Sequence, residues 1–230
     1  MPPFGAFLLC YNGLMKIGFF DSGKGGLTVL NEVQKLLPDL EYKYIADSKN
    51  CPYGDKSDDE LMRIVRKNVE ELKDWGANII VVACNTATTK CIDKLRREYS
   101  GLKFVGTEPA VKLAVNSGAK NILVMVTPGT IESERMMAIL DENKKPGQQI
   151  ELLACPGLAE AIEQNQAVDD ILTELLRDKR DVDCVVLGCT HYPWIKDKIQ
   201  HYCPKAILID GNKGVARQVQ RLVENLWKTN

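Results

Sequence analysis

Apolar positions along this chain follow two periods that alternate. Short runs rich in Val and Ile read as strands, and nearly unbroken ones as strands covered on both faces of a parallel sheet. They fall at 16–20, 41–46, 78–83, 103–106, 121–126, 149–154, 183–187 and 206–210. Between them, apolar residues recur at helical spacing. Leu27, Leu30, Val33 and Leu37 form one stripe, stopped by Pro38. Leu61, Ile64, Val65, Val69 and Leu72 form a second. Ser57 suits its N-cap, Asp58, Asp59 and Glu60 suit its first turn, and Gly76 suits its end. Further helices are expected at about 86–99 and within 167–178. This order predicts an α/β protein with mainly parallel sheets.

Two of the strand runs are near-copies. NIIVVACNTAT covers 78–88 and DCVVLGCTHYP covers 183–193. Each breaks from Val and Ile into Cys followed by small polar groups, so Cys84 and Cys189 hold the same place. The half-chains around them repeat too. Asp21 precedes Cys84 by nearly the interval at which Thr127 precedes Cys189, the two differing by one residue. The economical reading is an internal duplication of two pseudo-symmetric α/β units. One doubly wound sheet is the alternative, and the repeat alone divides the chain near residue 112. Carboxyl ends of parallel strands face the crevices where open sheets bind ligands. Two thiols, delivered by equivalent strand ends to one small substrate, are therefore expected.

Bulk properties narrow the field. A chain of 230 residues makes one large domain or two small ones. Lys plus Arg number 30 against 31 Asp plus Glu, a net charge of −1. That balance offers no electrostatic argument for a nucleic acid or an anionic membrane as partner. No apolar run approaches the ~20 residues that span a bilayer. Residues 1–14 are apolar without Lys or Arg, so the basic region of a signal peptide is missing. Met15 then opens a strand, and 1–14 is expected to be an N-terminal extension. Eight cysteines are too sparse for a disulfide scaffold. Cys91 and Cys184 read as buried thiols, and a reducing cytoplasmic location is expected.

The polar loops after the strands are DSGKGG, NTAT, TPGT and THYP. Backbone N–H groups and hydroxyls at helix starts hold carboxylates or phosphates without an Arg. DSGKGG fits neither the P-loop nor the Rossmann spacing. Two thiols in one pocket can be a redox pair, metal ligands, or an acid and a base, and buried Cys is also common without function. CxxC spacing is absent. Cys189-x-His191 and His201-x-Cys203 hold the only two histidines, in a spacing unlike structural zinc sites. No metal site is expected.

FDSGKGGLTV, DSKNCPYGDKS, VVACNTAT, GTEPAV, TPGTIES and VLGCTHYP follow one another in this order. Together they resemble the cofactor-independent glutamate racemases of the aspartate/glutamate racemase superfamily, from about Lys16 to the C-terminal end. The resemblance implies two α/β domains with the active site in the cleft between them. The first would take 15–107 plus 210–230, because the chain's end returns to it, and the second 108–209. It implies that L- and D-glutamate are interconverted by two bases without a cofactor. Cys84 and Cys189 match the catalytic pair. Asp21 matches the carboxylate near the first cysteine, and Ser22 a substrate contact. His191 matches the histidine assisting the second cysteine. Pro52, Tyr53, Gly54, Asn85, Thr86 and Thr190 match glutamate-binding positions, and Thr130 a substrate hydroxyl. Asp47 and Glu163 match accessory acids; Glu163 is preferred to Glu160 by its spacing from Cys155 and Pro156. The chain is short for this family, and Cys51 stands where a small or aliphatic residue is expected.

The expected function is thus supply of D-glutamate for peptidoglycan in the cytoplasm, with a homodimer left open. The rivals are an aspartate or other amino-acid racemase of the superfamily, a protein that binds an acidic amino acid without turnover, and a zinc protein.

Overall fold

The computed structural model describes residues 15–229, so the expected extension over 1–14, with Cys10, lies outside it. Strands β1 (Lys16–Asp21), β2 (Glu41–Ala46), β3 (Ile79–Val82) and β4 (Lys103–Gly106) form one sheet in the order β2-β1-β3-β4. Strands β5 (Asn121–Val126), β6 (Gln149–Ala154), β7 (Cys184–Leu187) and β8 (Ile207–Ile209) form a second in the order β6-β5-β7-β8. All pairings are parallel. The two sheets share one topology, which realises the predicted duplication and rules out a single doubly wound sheet.

Helices α1 (Leu27–Leu36), α2 (Asp58–Asp74) and α3 (Asn85–Glu98) serve the first sheet, and α4 (Val111–Asn116) leads to the second. Helices α5 (Pro128–Ile131), α6 (Glu134–Asn143), α7 (Leu158–Glu163), α8 (Asp169–Leu176) and α9 (Lys196–Tyr202) follow, and α10 (Asn212–Thr229) closes the chain. The predicted signals hold at α2. Ser57 Oγ accepts from the Glu60 N–H at 3.3 Å, three acids fill the first turn, and Gly76 has φ 90. The boundaries of 27–37, 86–99 and 206–210 each shift by one residue per end or less: α1 stops at Leu36, α3 spans Asn85–Glu98 and β8 keeps Ile207–Ile209.

Alternation in each strand sends side chains to opposite faces. Ile17, Phe19, Ile79 and Val81 pack with Val29, Leu30 and Val33 of α1 and with Val215, Ala216, Val219 and Val223 of α10. Phe20, Ile80 and Val82 face α2 and α3 through Leu61, Val65, Val69, Leu72, Ile92 and Leu95. A Cβ on Gly18 would stand 2.9 Å from Leu72, so that glycine lets α2 approach. The second sheet is covered likewise, by α4 and α6 on one face and α7, α8 and α9 on the other. Each fully buried Val, Leu or Ile contributes about 1.5–3 kcal/mol by leaving water. Two covered faces explain why the strand runs are almost wholly apolar. The last helix therefore returns to the first sheet, after β8 has joined the second.

Candidate active site

Cys84 and Cys189 each stand two residues past their strand, β3 and β7. Both are buried, at 5% and 7% exposure, and both are free thiols. Cys84 is the N-cap of α3 and lies 3.8 Å from Ser22 Oγ. Burial pushes its thiol up to about 12, and the charge of Asp21 adds to this. The Ala87 N–H, the Ser22 hydroxyl and the Thr86 N–H at the start of α3 act in the opposite direction. Cys189 is likewise raised well above the ordinary thiol value by its burial, opposed by the His191 N–H and reinforced by charge on Cys84 and Asp21. An unaccompanied thiolate is therefore costly at either position.

The two thiols have different companions. His191 Nδ1 lies 3.7 Å from Cys189 Sγ, and its Nε2 lies 2.9 Å from Glu163 Oε2. Glu163 also accepts from the Ser48 hydroxyl at 2.6 Å and the Lys24 N–H at 2.9 Å. Burial would raise Glu163, but the hydrogen bonds from Ser48, Lys24 and His191 outweigh it and hold the carboxyl below its usual value. A carboxylate only accepts, so His191 Nε2 must carry a proton toward it. Nδ1 is then left to accept from the Cys189 thiol, or to donate to its thiolate when the ring is charged.

Asp21 ends β1 and is fully buried. Its Oδ2 accepts from the Gly26 N–H at 2.9 Å, at the start of α1, and Thr190 Oγ1 lies 3.2 and 3.3 Å from its two oxygens. Burial pushes its carboxyl up, against the opposing charge of His191 and these hydrogen bonds. The Gly-rich DSGKGG turn is sterically required. A Cβ on Gly23 would meet the Glu163 carboxylate at 2.4 Å, and one on Gly25 would meet the backbone of Thr190 and His191 at 2.8 and 2.9 Å. The loop after β1 thus presses directly on groups from the other half.

Hydroxyls and backbone close the remaining side. Thr86 Oγ1 lies 2.9 Å from Thr127 Oγ1 and 3.4 Å from Thr130 Oγ1, joining the start of α3 to that of α5. A Cβ on Gly129 would meet the Gly54 carbonyl at 2.5 Å. Tyr53 is buried, donates to Asp47 Oδ2 at 2.7 Å and accepts from Asn68 Nδ2 at 3.0 Å. The Cys51–Pro52 peptide bond is cis.

With this geometry in hand, similarity to known proteins becomes informative. The sequence profile described as Asp/Glu/Hydantoin racemase matches residues 29–219. This chain belongs to that racemase family. A glutamate racemase of Clostridium botulinum (strain Langeland / NCTC 10281 / Type F) is 41% identical over 218 residues, covering 91% of this chain and 84% of the relative. The Escherichia coli glutamate racemase, solved in complex with L-glutamate and the activator UDP-MurNAc-ala, has a TM-score of 0.83 at 32% identity. That match covers 92% of this chain and 83% of the other. A glutamate racemase of Francisella tularensis subsp. tularensis SCHU S4 in complex with D-glutamate has a TM-score of 0.80 at 25% identity, covering 93% and 82%.

Within this family member, the residues named from sequence fall into connected groups. Asp21, Thr190, His191, Glu163 and Cys189 form one, Cys84 and Ser22 a second, and Thr86 with Thr130 a third. Asn85 is buried beside Cys84 as the first residue of α3. Of the two candidate acids, Glu163 reaches His191, whereas Glu160 accepts from Gln164. Two of these residues have further partners. Asp21 accepts from Thr190, beside Cys189, and its charge also raises the Cys84 thiol, so it belongs to both sides. Asp47 spends its hydrogen bonds on Asn50 and Tyr53, which shape the loop carrying Pro52 and Gly54. Cys203 sits in the core with its thiol donating to Lys179 O, and no group of three or more His, Cys, Asp or Glu among the described residues is arranged to hold a metal. Lys24, Ser48 and Thr127 were not named as site residues; their only signal was a place within the DSGKGG, DSKNCPYGDKS and TPGTIES blocks.

Proposed function

We propose that this racemase-family chain interconverts L- and D-glutamate, with Cys84 and Cys189 acting on opposite faces of Cα. The supporting observation is a pair of buried thiols at topologically equivalent strand ends, each with its own polar companions. One thiolate takes the Cα proton and the other thiol gives its proton to the opposite face of the planar intermediate. The two proton positions on the enzyme are then exchanged, and the reverse reaction restores them. General acid–base transfer of this kind contributes about 10²–10⁴-fold per positioned group. Burial opposes a thiolate in the free enzyme, so a counter-charge must arrive with the substrate, and the α-ammonium of glutamate supplies one. N–H groups at the starts of α3 and α5, with the hydroxyls of Thr86, Thr130 and Thr190, suit its carboxylates. The relatives solved with L-glutamate and with D-glutamate are consistent with a site that accepts both hands.

The proposal uses no cofactor. It takes 15–107 plus 210–230 and 108–209 as the two domains, supported by the packing of α10 on α1. It places the enzyme in the cytoplasm, supplying D-glutamate for peptidoglycan. No helix among the described residues is long and apolar enough to cross a membrane. It leaves a homodimer as the assembly to be read by sedimentation.

The test is racemisation in deuterated water. Each enantiomer should yield a product deuterated at Cα while unreacted substrate stays largely protonated. Cys84→Ser and Cys189→Ser should each lower turnover by about 10²-fold or more. Full activity in both variants would sink the two-thiol account. A panel of D-amino acids decides between glutamate and aspartate.

A further inference from the structure

Lys24 is the one basic residue of the DSGKGG turn, and the chemistry at the two thiols does not use it. It belongs to the loop after β1, yet its recorded side-chain partners all lie in the second half of the chain. Its Nζ donates to the Glu163 carbonyl at 2.9 Å and to Asn165 Oδ1 at 2.6 Å. The same ammonium lies 5.9 Å from the centre of the Trp194 ring. Its backbone N–H donates to Glu163 Oε2, the oxygen that also pairs with His191. Asn165 has φ 55, a left-handed turn just past α7 that accompanies the meeting of its amide oxygen with the ammonium.

These contacts surround one side chain. Glu163 is the last residue of a six-residue helix. Its carboxylate is steered by three donors, and its main chain is held by the Lys24 ammonium from across the cleft. We propose that Lys24 is a positioning residue: by clamping the end of α7 from the opposite half, it holds the Glu163 carboxylate on His191 and so keeps His191 aligned with Cys189. This rests on the racemase reading for its kinetic consequence, while the alignment of Glu163 and His191 does not.

The clamp is tested in two ways on the full chain. First, racemisation of both enantiomers is measured for Lys24→Met, Lys24→Arg and Glu163→Gln, alone and combined. Lys24→Met should lower kcat about tenfold or more, because small misplacements of catalytic groups carry such losses, with KM little changed. Lys24→Arg, which keeps the charge and donors, should recover most of it. In the Glu163→Gln background, Lys24→Met should add less than about twofold, since both act through one carboxylate. Second, the chain has two histidines, of which His191 is 1% exposed and His201 exposed, so the His191 ring proton is separable by ¹⁵N NMR. Lys24→Met should speed solvent exchange of the Nε2 proton about tenfold, toward its rate in Glu163→Gln.

If the wild-type chain racemises nothing but this exchange still depends on Lys24, the functional reading fails and the clamp stands. If Lys24→Met leaves both kcat and ring-proton exchange unchanged, the clamp is overturned. It is equally overturned if the variant raises KM alone, or if its loss multiplies with that of Glu163→Gln, since either places Lys24 on the substrate. Should Lys24→Met not fold, Asn165→Gly removes the second acceptor while accepting the left-handed backbone, and the same two readouts apply.

Discussion

At the scale of single residues, the two thiols share a placement but not an environment. Cys84 has a serine hydroxyl and the N–H groups of a helix start, whereas Cys189 has an imidazole backed by a carboxylate. Racemisation needs a group on each face of Cα, and it does not need the same helper on both. Burial pushes Cys84 up to about 12, and only the thiolate reacts with an alkylating agent. Alkylation of Cys84 in the substrate-free enzyme should therefore be slow at pH 7. It should rise about tenfold per pH unit toward about 12, as read by mass spectrometry of the modified peptide. A rate already at its plateau near neutral pH would contradict this. Cys84 and Cys189 were legible in sequence because repetition marked them. Lys24 and Ser48 were not, because their partner Glu163 lies 139 and 115 positions away.

At the scale of elements, the turn between β1 and α1 shows how glycine spacing builds a site. Gly23 clears the end of a flexible side chain, while Gly25 clears backbone. The two substitutions should therefore separate. Gly23→Ala should displace the Glu163 carboxylate, lowering kcat about tenfold or more, with a thermal midpoint within a few degrees of wild type. Gly25→Ala forces the Thr190 and His191 backbone away and should lower both activity and thermal midpoint. Equal thermal losses in the two variants would refute this division. Although it did not mark α6 or α10, periodicity alone made α1 and α2 legible. The short helices α4, α5, α7 and α9, of four to seven residues, were not. One or two turns are too few to display a stripe, and such helices persist through the packing of residues such as Leu158 and Ile199.

At the scale of the whole molecule, buried thiols tie stability to pH. Cys84, Cys91 and Cys155 are each pushed up to about 12 and Cys184 to about 11, in every case chiefly by burial. The unfolded chain releases these protons above about 9, while the folded chain keeps them. The stabilisation is whole below that point and is lost as pH rises toward about 12. Urea midpoints should thus fall steadily from pH 8.5 to pH 11, and Cys91→Ala should flatten the fall. A midpoint independent of pH over that range would remove the argument. Burial of the same kind joins the two ends of the chain, since α10 shares a core with α1 although nearly the whole chain separates them.

The order of strands and helices, the duplication and the equivalence of Cys84 and Cys189 were already written in the linear pattern, because two-sided burial selects residue type locally. The family blocks added Asp21, His191 and Glu163 as expected companions of the thiols. The pairing of Glu163 with His191, the place of Asp21 between both thiols and the reach of Lys24 across the cleft depend on the tertiary fold. The first joins two loops of the second sheet and the other two join loops from different sheets; no periodicity runs there, and only the tertiary fold brings the partners within hydrogen-bonding distance.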